Sequence, residues 1–558
     1  MAQGSTLSHA LIKLHKLIMT DKKDVSSVYF FAIVGGLVSL VLPLGIQAIL
    51  SFVMAATLST SIVILIIIVI AGVFFNGFVQ IRQMQVIERI RQKIFTRYGL
   101  EFGYKIPKMN LQQMDNFYLP ETVNRFFDIV SLGKSIEKVL IDIPISIIQI
   151  LLSLILLSFY HPLFIAFGAL VLLVLIILLS LTSNRGFATS MDASDYKYKT
   201  AGWLQEIARC AKTFKYSKGA NLHEKNTDML IGNYLKSRTA HFKILTTQYW
   251  SLIVFKILIV SAMLIAGTWL LLEQQINVGQ FIASDIVILL IINAVEKLIG
   301  TMDNVYDSLT SIEKLSKIVD SPVEESGNFS FNKINGCEIE FDKVGFVYPN
   351  GNVGLQEVTF NIADNKMLCI DGNSGSGRTT INRLLTGYLQ KFSGNILINK
   401  IPIGNYNLDE FRKNTGIMFM GQDIFRGSVL ENLSMGNEQI SISEISYIAD
   451  KVGFTDFIKN TKNGYDTLLD PTGNKLSNYV IQNIKLIRAL LGKPKLLLLE
   501  EPLQHLDEVK QSVMINYLKK ESNATIIIVT KNKLIHQNAD SVLILNDNKE
   551  NLIEHNDE

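Results

Sequence analysis

A chain of 558 residues exceeds what one hydrophobic core organises, because domains of roughly 100 to 200 residues are usual, so two or more units are expected. Its 53 basic and 50 acidic side chains leave a net charge of only +3 with no long basic tract, which gives a nucleic-acid partner no support. The cysteines Cys210, Cys337 and Cys369 are widely spaced, match neither a metal-ligand pattern nor a disulfide framework, and read as reduced and structural.

Apolar residues are unevenly spread. Residues 1–27 read as an amphipathic lead-in, and 28–318 hold several runs almost free of charge. After a linker over 319–335, residues 336–558 have the composition of an ordinary globular domain. A bilayer core about 30 Å thick needs about 20 mostly apolar residues as helix. Stretches near 28–53, 60–80, 136–159, 162–182, 250–272 and 278–298 meet that length. The first begins too late and runs too long for a cleaved signal peptide, and it lacks a small-residue cleavage site. Basic residues set the orientation. The segment between the second and third stretches carries Arg82, Arg89, Arg91, Lys93, Arg97, Lys105, Lys108, Arg125 and Lys134, and the connection between the fourth and fifth is similarly basic. The connections near 54–59, 160–161 and 273–277 hold no Lys or Arg, which places them outside and both termini in the cytoplasm. Lys13, Lys16, Lys22 and Lys23 agree, and a multi-pass protein of the cytoplasmic membrane is expected.

The two basic connections, of about 55 and about 67 residues, are long for simple loops. They are rich in apolar and aromatic residues and in helix-compatible pattern, so spans two to five are expected to continue as helices, with Pro107 and Pro120 marking a turn; disordered loops are the alternative. Lys256, Asp285 and Glu296 lie inside spans, where ionisable groups mark a substrate path or a structural pair. Lys256 and Glu296 sit at similar depth and suit an ion pair, whereas Asp285 lies deeper and is the stronger candidate for a substrate path, with packing against Gln149 or Gln47 as the structural alternative.

In the globular half, Gly372-Asn373-Ser374-Gly375-Ser376-Gly377-Arg378-Thr379-Thr380 follows a strand-like run, Lys366–Ile370, and precedes a helical pattern, Ile381–Leu389. Glycines there let backbone N–H groups curl round phosphate oxygens, and the following helix presents its positive end to the same anion. Thr379 is placed to ligate magnesium. Arg378 stands where the P-loop pattern has Lys, keeping the charge but not the compact ammonium. Taken alone, such a turn is also found as a purely structural strand-to-helix connection.

Further residues in order resemble the nucleotide-binding domain of ABC transporters, and the six spans with their extensions resemble a type I exporter half. Tyr348, in Val344–Pro349, is similar to the aromatic that stacks on adenine, with a core tyrosine at a strand end as the alternative. Gln422 is similar to the glutamine that senses magnesium and the attacking water. Leu496–Pro502 resembles the acidic strand end, which makes Glu500 the magnesium position and Glu501 the candidate general base, and Asp507 closes a loop at the dimer interface. Asn124, Arg125 and Asp128 resemble the segment after the first coupling region. The resemblance implies an all-α transmembrane bundle followed by an α/β P-loop domain, with ATP and Mg as cofactors.

Departures from the family matter as much. The signature loop reads Leu476-Ser477-Asn478-Tyr479-Val480 in place of Leu-Ser-Gly-Gly-Gln, so Asn478 and Tyr479 are expected to obstruct approach to a γ-phosphate while Ser477 remains. Glu500 replaces Asp, one methylene longer at a site that favours near-octahedral geometry. Lys531 occupies the switch position in place of histidine and cannot act as a neutral imidazole at pH 7. Because each family site is shared between two chains, slow or absent hydrolysis with retained binding is expected. Implied partners are the lipid bilayer, a second ABC half as homodimer or heterodimer, and further export-complex subunits. Two classes remain: an exporter subunit of unknown cargo (a peptide, lipid or drug-like molecule), or a non-catalytic scaffold or regulatory subunit.

Overall fold

The computed structural model describes residues 6–54, 60–110, 112, 119–219, 221–331, 336–470, 476–546 and 551–555. Residues 55–59 of the connection expected outside, 332–335 of the expected linker and 1–5 of the lead-in lie outside the described residues. The chain divides into two compact units, one of residues 1–109 and 113–323, the other of 110–112 and 324–558.

The first unit is all helix: α1 (Leu7–Thr20), α2 (Lys22–Ser39), α3 (Val41–Met54), α4 (Thr60–Lys105), α5 (Leu119–Val123), α6 (Asp128–Tyr160), α7 (Leu163–Arg209), α8 (Ala211–Tyr216), α9 (Leu222–Leu272), α10 (Val278–Gly300) and α11 (Met302–Val319). Among the described residues six stretches are long and apolar enough to cross a membrane: 22–53, 60–108, 121–160, 163–209, 222–272 and 278–319. They present Ile67, Ile70, Phe74, Ile165 and Ile265 at 60% exposure or more, a surface suited to acyl chains. The chain is a multi-pass integral membrane protein. The first apolar stretch is jointed at Leu40, between α2 and α3. By contrast α4, at 46 residues, runs unbroken and ends just before Pro107, which sits in a 3-10 turn over Ile106–Lys108. Pro120 falls in α5. An Asn277/Gln280 capping box starts α10. Gly186 of α7 admits the Tyr306 ring, whose atoms would stand 2.4 Å from an added Cβ.

Lys256 and Glu296 do pair, Nζ to Oε2 at 2.5 Å. Of the two readings of Asp285, the structural one finds no support: the residue is exposed and without a hydrogen-bond or ion-pair partner among the described residues, and Gln47 accepts from the Tyr160 hydroxyl at 2.5 Å. The stretch of α10 that carries Asp285 turns this residue away from the bundle interior, where Ser284 and Val287 are buried, so neither glutamine serves it.

The second unit is α/β. Its strands are β1 (Ile339–Val347), β2 (Val353–Ile362), β3 (Met367–Gly372), β4 (Ser393–Ile398), β5 (Ile401–Pro402), β6 (Thr415–Met418), β7 (Gly427–Ser428), β8 (Leu468–Leu469), β9 (Leu496–Glu500), β10 (Thr525–Val529), β11 (Ser541–Leu545) and β12 (Asn551–His555). Its helices are α12 (Arg378–Leu385), α13 (Leu408–Lys413), α14 (Val429–Ser434), α15 (Ile442–Val452), α16 (Thr455–Asn460), α17 (Asn478–Leu490), α18 (Glu508–Lys520) and α19 (Lys533–Asn538). The main sheet has the order β12-β11-β3-β10-β9-β6, parallel except at β12, and a second antiparallel sheet runs β2-β1-β4-β5. Strands buried on both faces read as continuous apolar runs, as Leu496–Leu499 and Ile526–Val529 do. One core, with Ile381, Leu384 and Phe341, covers one face of the main sheet, and a second, with Val429, Ile484 and Met514, covers the other.

Candidate nucleotide site

Parallel strands deliver their carboxyl ends to a single sheet edge, where open α/β sheets place their ligands. Here β3 leads into the glycine loop, β9 ends in Glu500 and Glu501, β10 leads through Thr530 to Lys531, and β6 leads to Gln422. The loop from Gly372 to Gly377 depends on left-handed backbone at Gly375 (φ +88°) and Gly377 (φ +103°). Gly377 is also confined, because an added Cβ would lie 2.3 Å from the Gly354 carbonyl oxygen and 2.6 Å from Leu355 Cδ2. It is the N-cap of α12, so the helix opens toward the loop.

A cavity of about 580 Å³ lies here, lined by Tyr348, Ser374, Gly375, Gly377, Arg378, Thr379 and Thr380 together with residues 350 and 352–354. The half-buried Tyr348 sets its ring edge-on against Phe346 at 4.8 Å and its hydroxyl 2.9 Å from Thr380 Oγ1. It both packs at the strand end and presents a wall to the cavity. Arg378 Nη1 and Ser376 Oγ are buried without a hydrogen-bond partner. Buried polar groups are nearly always paired, so an orphaned guanidinium nitrogen beside a glycine-rich anion loop fits phosphate oxygens.

The acidic strand end is less open. Glu500 is 4% exposed, and its Oε2 accepts the Met420 N–H at 3.0 Å while Oε1 has no partner. That orphaned carboxylate oxygen suits a metal-bound water, and Thr379 lines the cavity. Gln422, the third residue expected at magnesium, is folded onto its own loop: Nε2 donates to the Ile417 carbonyl at 3.2 Å, and Oε1 accepts from the Phe419 N–H at 3.3 Å. Glu501 has φ 45°, donates its N–H to the Val529 carbonyl at 2.9 Å and accepts from Thr530 Oγ1 at 2.7 Å. Lys531 is exposed. Neither Gln422, Lys531 nor Ser477 lines the cavity.

The signature segment begins α17, with Ser477 as N-cap accepting from the Val480 N–H at 3.4 Å. Tyr479 is half-buried. Its hydroxyl donates to the Gly453 carbonyl at 2.8 Å, turning the ring inward, and Val480 is 5% exposed in the core. Asn478 alone of the pair stays exposed.

Three neighbours escaped the sequence reading. Lys485 on α17 is 3% exposed and donates to the Met420 carbonyl at 3.1 Å, with burial lowering its pKa from the usual lysine value. Met420 is therefore held by Lys485 at its C=O and by Glu500 at its N–H. Asp371, directly before the loop, accepts the Gly372 N–H at 2.6 Å and lies 3.3 Å from His536 Nε2. A lysine inside the apolar run Ile484–Ile487 was the one visible signal for the first. Nothing local announced the pairing of Asp371 with a residue 165 positions away.

Comparison with known proteins agrees with this geometry. The profile of the family described as "ABC transporter" matches residues 355–504. The chain is 27% identical over 286 residues to the Alpha-hemolysin translocation ATP-binding protein HlyB of Escherichia coli, covering 51% of this chain and 40% of that one. It is 32% identical over 246 residues to the ATP-dependent lipid A-core flippase of Blochmanniella floridana, covering 42% of this chain and 41% of that one. The match thus spans less than half the length of these curated relatives. A solved structure of a bacterial Atm1-family ABC exporter with ATP bound superposes with a TM-score of 0.85 at 18% identity, covering 95% of this chain and 94% of that chain. The glycine loop and acidic strand end thus lie within the stretch that matches the ABC transporter family, and the chain as a whole, with its six apolar helices among the described residues, has the fold of an ABC exporter half.

Proposed function

We propose that the chain is a half-size ABC exporter subunit of the cytoplasmic membrane, with both termini in the cytoplasm, that couples ATP binding to export and hydrolyses ATP slowly or not at all. The observation that carries this reading is the glycine loop beside an orphaned Arg378 nitrogen, in one unit with a signature segment that has lost both family glycines. In this reading main-chain amides of Gly372–Thr380 and the Arg378 guanidinium hold the phosphates, and Tyr348 flanks the base. Thr379, Glu500 and a swung-out Gln422 would hold magnesium, which supplies charge neutralisation on the phosphate oxygens. Glu501 orients or deprotonates the attacking water, with its carboxylate fixed by Thr530.

Slow chemistry follows from positioning. Phosphoryl transfer depends on charge placed before the reaction begins, and losing one such contact costs about 3 kcal/mol. Here Lys531 lacks the neutral imidazole, Glu500 is engaged with Met420, and Asn478 supplies a side chain where the family has none. A second ABC half, identical or related, would complete each site. Turnover by the purified protein in lipid, compared with Glu501→Gln, tests this: a low rate abolished by the substitution with ATP affinity intact is expected, and a rate indifferent to it would refute the assignment of Glu501.

A second reading is favoured by the same clamp on Met420. With Glu500 engaged there and Gln422 folded back, the subunit would bind nucleotide as a scaffold or regulator of an export complex without turning it over. Binding without turnover, both alone and with any co-purifying half, would select this alternative.

A further inference from the structure

A cavity of about 520 Å³ lies among α2, α3, α4, α6 and α10, a volume within the range of small-molecule sites. Its wall changes character along α4. Val69 and Val73 line one end with Val41 and Leu42, whereas Asn76, Gln80 and Gln83 line the other. A Cβ on Gly35 would meet Asn76, and one on Gly36 would meet Ile148, so Gln149 stands level with Asn76 and joins the amide half. On α10 the order repeats, Leu290 and then Lys297. On α4 Val79 and Met84 line the amide half too, and Phe31 and Ile145 are also in the wall.

Charge narrows the ligand. Lys297, the one charged residue of the lining, lies 2.9 Å from Asp142 Oδ1. An anionic group would have to share that ammonium with a carboxylate that repels it, and a cationic group would meet no free acid in the wall. Length narrows it further. From Val69 to Gln83 the helix advances about 21 Å at ~1.5 Å per residue, more than one ~15 Å hydrocarbon leaflet. With the proposed orientation, the amide half reaches the cytoplasmic lipid–water boundary while the apolar half lies in the acyl region.

We propose that this cavity binds an uncharged acyl amphiphile, with its hydroxyl or amide head among Asn76, Gln80 and Gln149 and its chain toward Val69. The assignment of head and chain rests on the membrane orientation given above. Gly35 provides the space, since a Cβ there would meet only Asn76 Oδ1 at 3.6 Å and Val79 Cγ1 at 3.8 Å, and a larger side chain would project into the cavity.

The test uses the full chain in phosphatidylcholine nanodiscs and a monoacylglycerol with a diazirine in its acyl chain, with a diazirine fatty acid and a diazirine alkylamine as charged counterparts. Crosslinks mapped by mass spectrometry should fall on residues 69–84, drop at least tenfold in Gly35→Leu and persist in Gly77→Leu, whose Cβ meets nothing within 4 Å. Should Gly35→Leu fail to fold, Asn76→Leu with Gln80→Leu preserves the space and is expected to lower labelling at least fivefold. Equal labelling by the charged probes, or undiminished labelling in the variants, overturns the proposal. ATP affinity measured on the same samples separates the claims. Absent labelling beside intact ATP binding sinks the amphiphile site alone, while specific labelling without ATP binding sinks the nucleotide reading and leaves this site standing.

Discussion

Gly377→Ala probes the glycine loop at the point where backbone and packing both resist a side chain. The residue has φ +103°, where an L side chain costs about 1 to 2 kcal/mol. Its new Cβ would lie 2.3 Å from the Gly354 carbonyl oxygen, far inside contact distance, and relieving such overpacking costs about 1 to 3 kcal/mol more. The total is about 2 to 5 kcal/mol, met by opening the loop away from β2. If only the lower figure is spent on displacing the phosphate-binding amides, ATP affinity falls about 30-fold. Titration of the purified chain with a fluorescent ATP analogue reads this directly, beside a thermal melt without nucleotide. Unchanged affinity in a folded variant would refute the claim that this backbone conformation holds the phosphates.

Lys485→Met removes a buried ammonium whose partner is a carbonyl rather than a carboxylate, so thermal unfolding should be unchanged or shifted upward by about 1 to 2 kcal/mol. A large loss of stability would contradict the view that burial opposes this charge. Burial raises the pKa of Cys337 and Cys369 to about 12, which leaves roughly one thiolate in 10⁴ at pH 8. Maleimide is therefore expected to label the partly exposed Cys210 in the native protein and the other two only after unfolding. Rapid native labelling of Cys369 would show that β3 is not buried as described.

Much of the architecture was legible because its signals are local. A run of apolar residues long enough to cross lipid, or glycines at 372, 375 and 377 between a strand and a helix, needs no tertiary information. Apolar length gave no warning of the joint at Leu40, which sits inside an otherwise continuous stretch. What remained hidden depends on partners far along the chain. No local pattern announces that the Tyr479 hydroxyl of the signature loop donates to the Gly453 carbonyl. One oxygen of Glu500 is taken by the Met420 N–H while the other has no partner, and Gln422 looks extended until its amide finds Ile417 and Phe419. Asp285 is the reverse case, a charge that suggests a partner within the chain and has none among the described residues.

The most direct measurement is equilibrium binding of ATP with magnesium to the purified chain in lipid, paired with phosphate release on the same sample. Saturable binding that Gly377→Ala weakens, together with release well below the ~1 to 10³ per second usual for enzymes, is the predicted result. No saturable binding by the folded chain would contradict the account at its root.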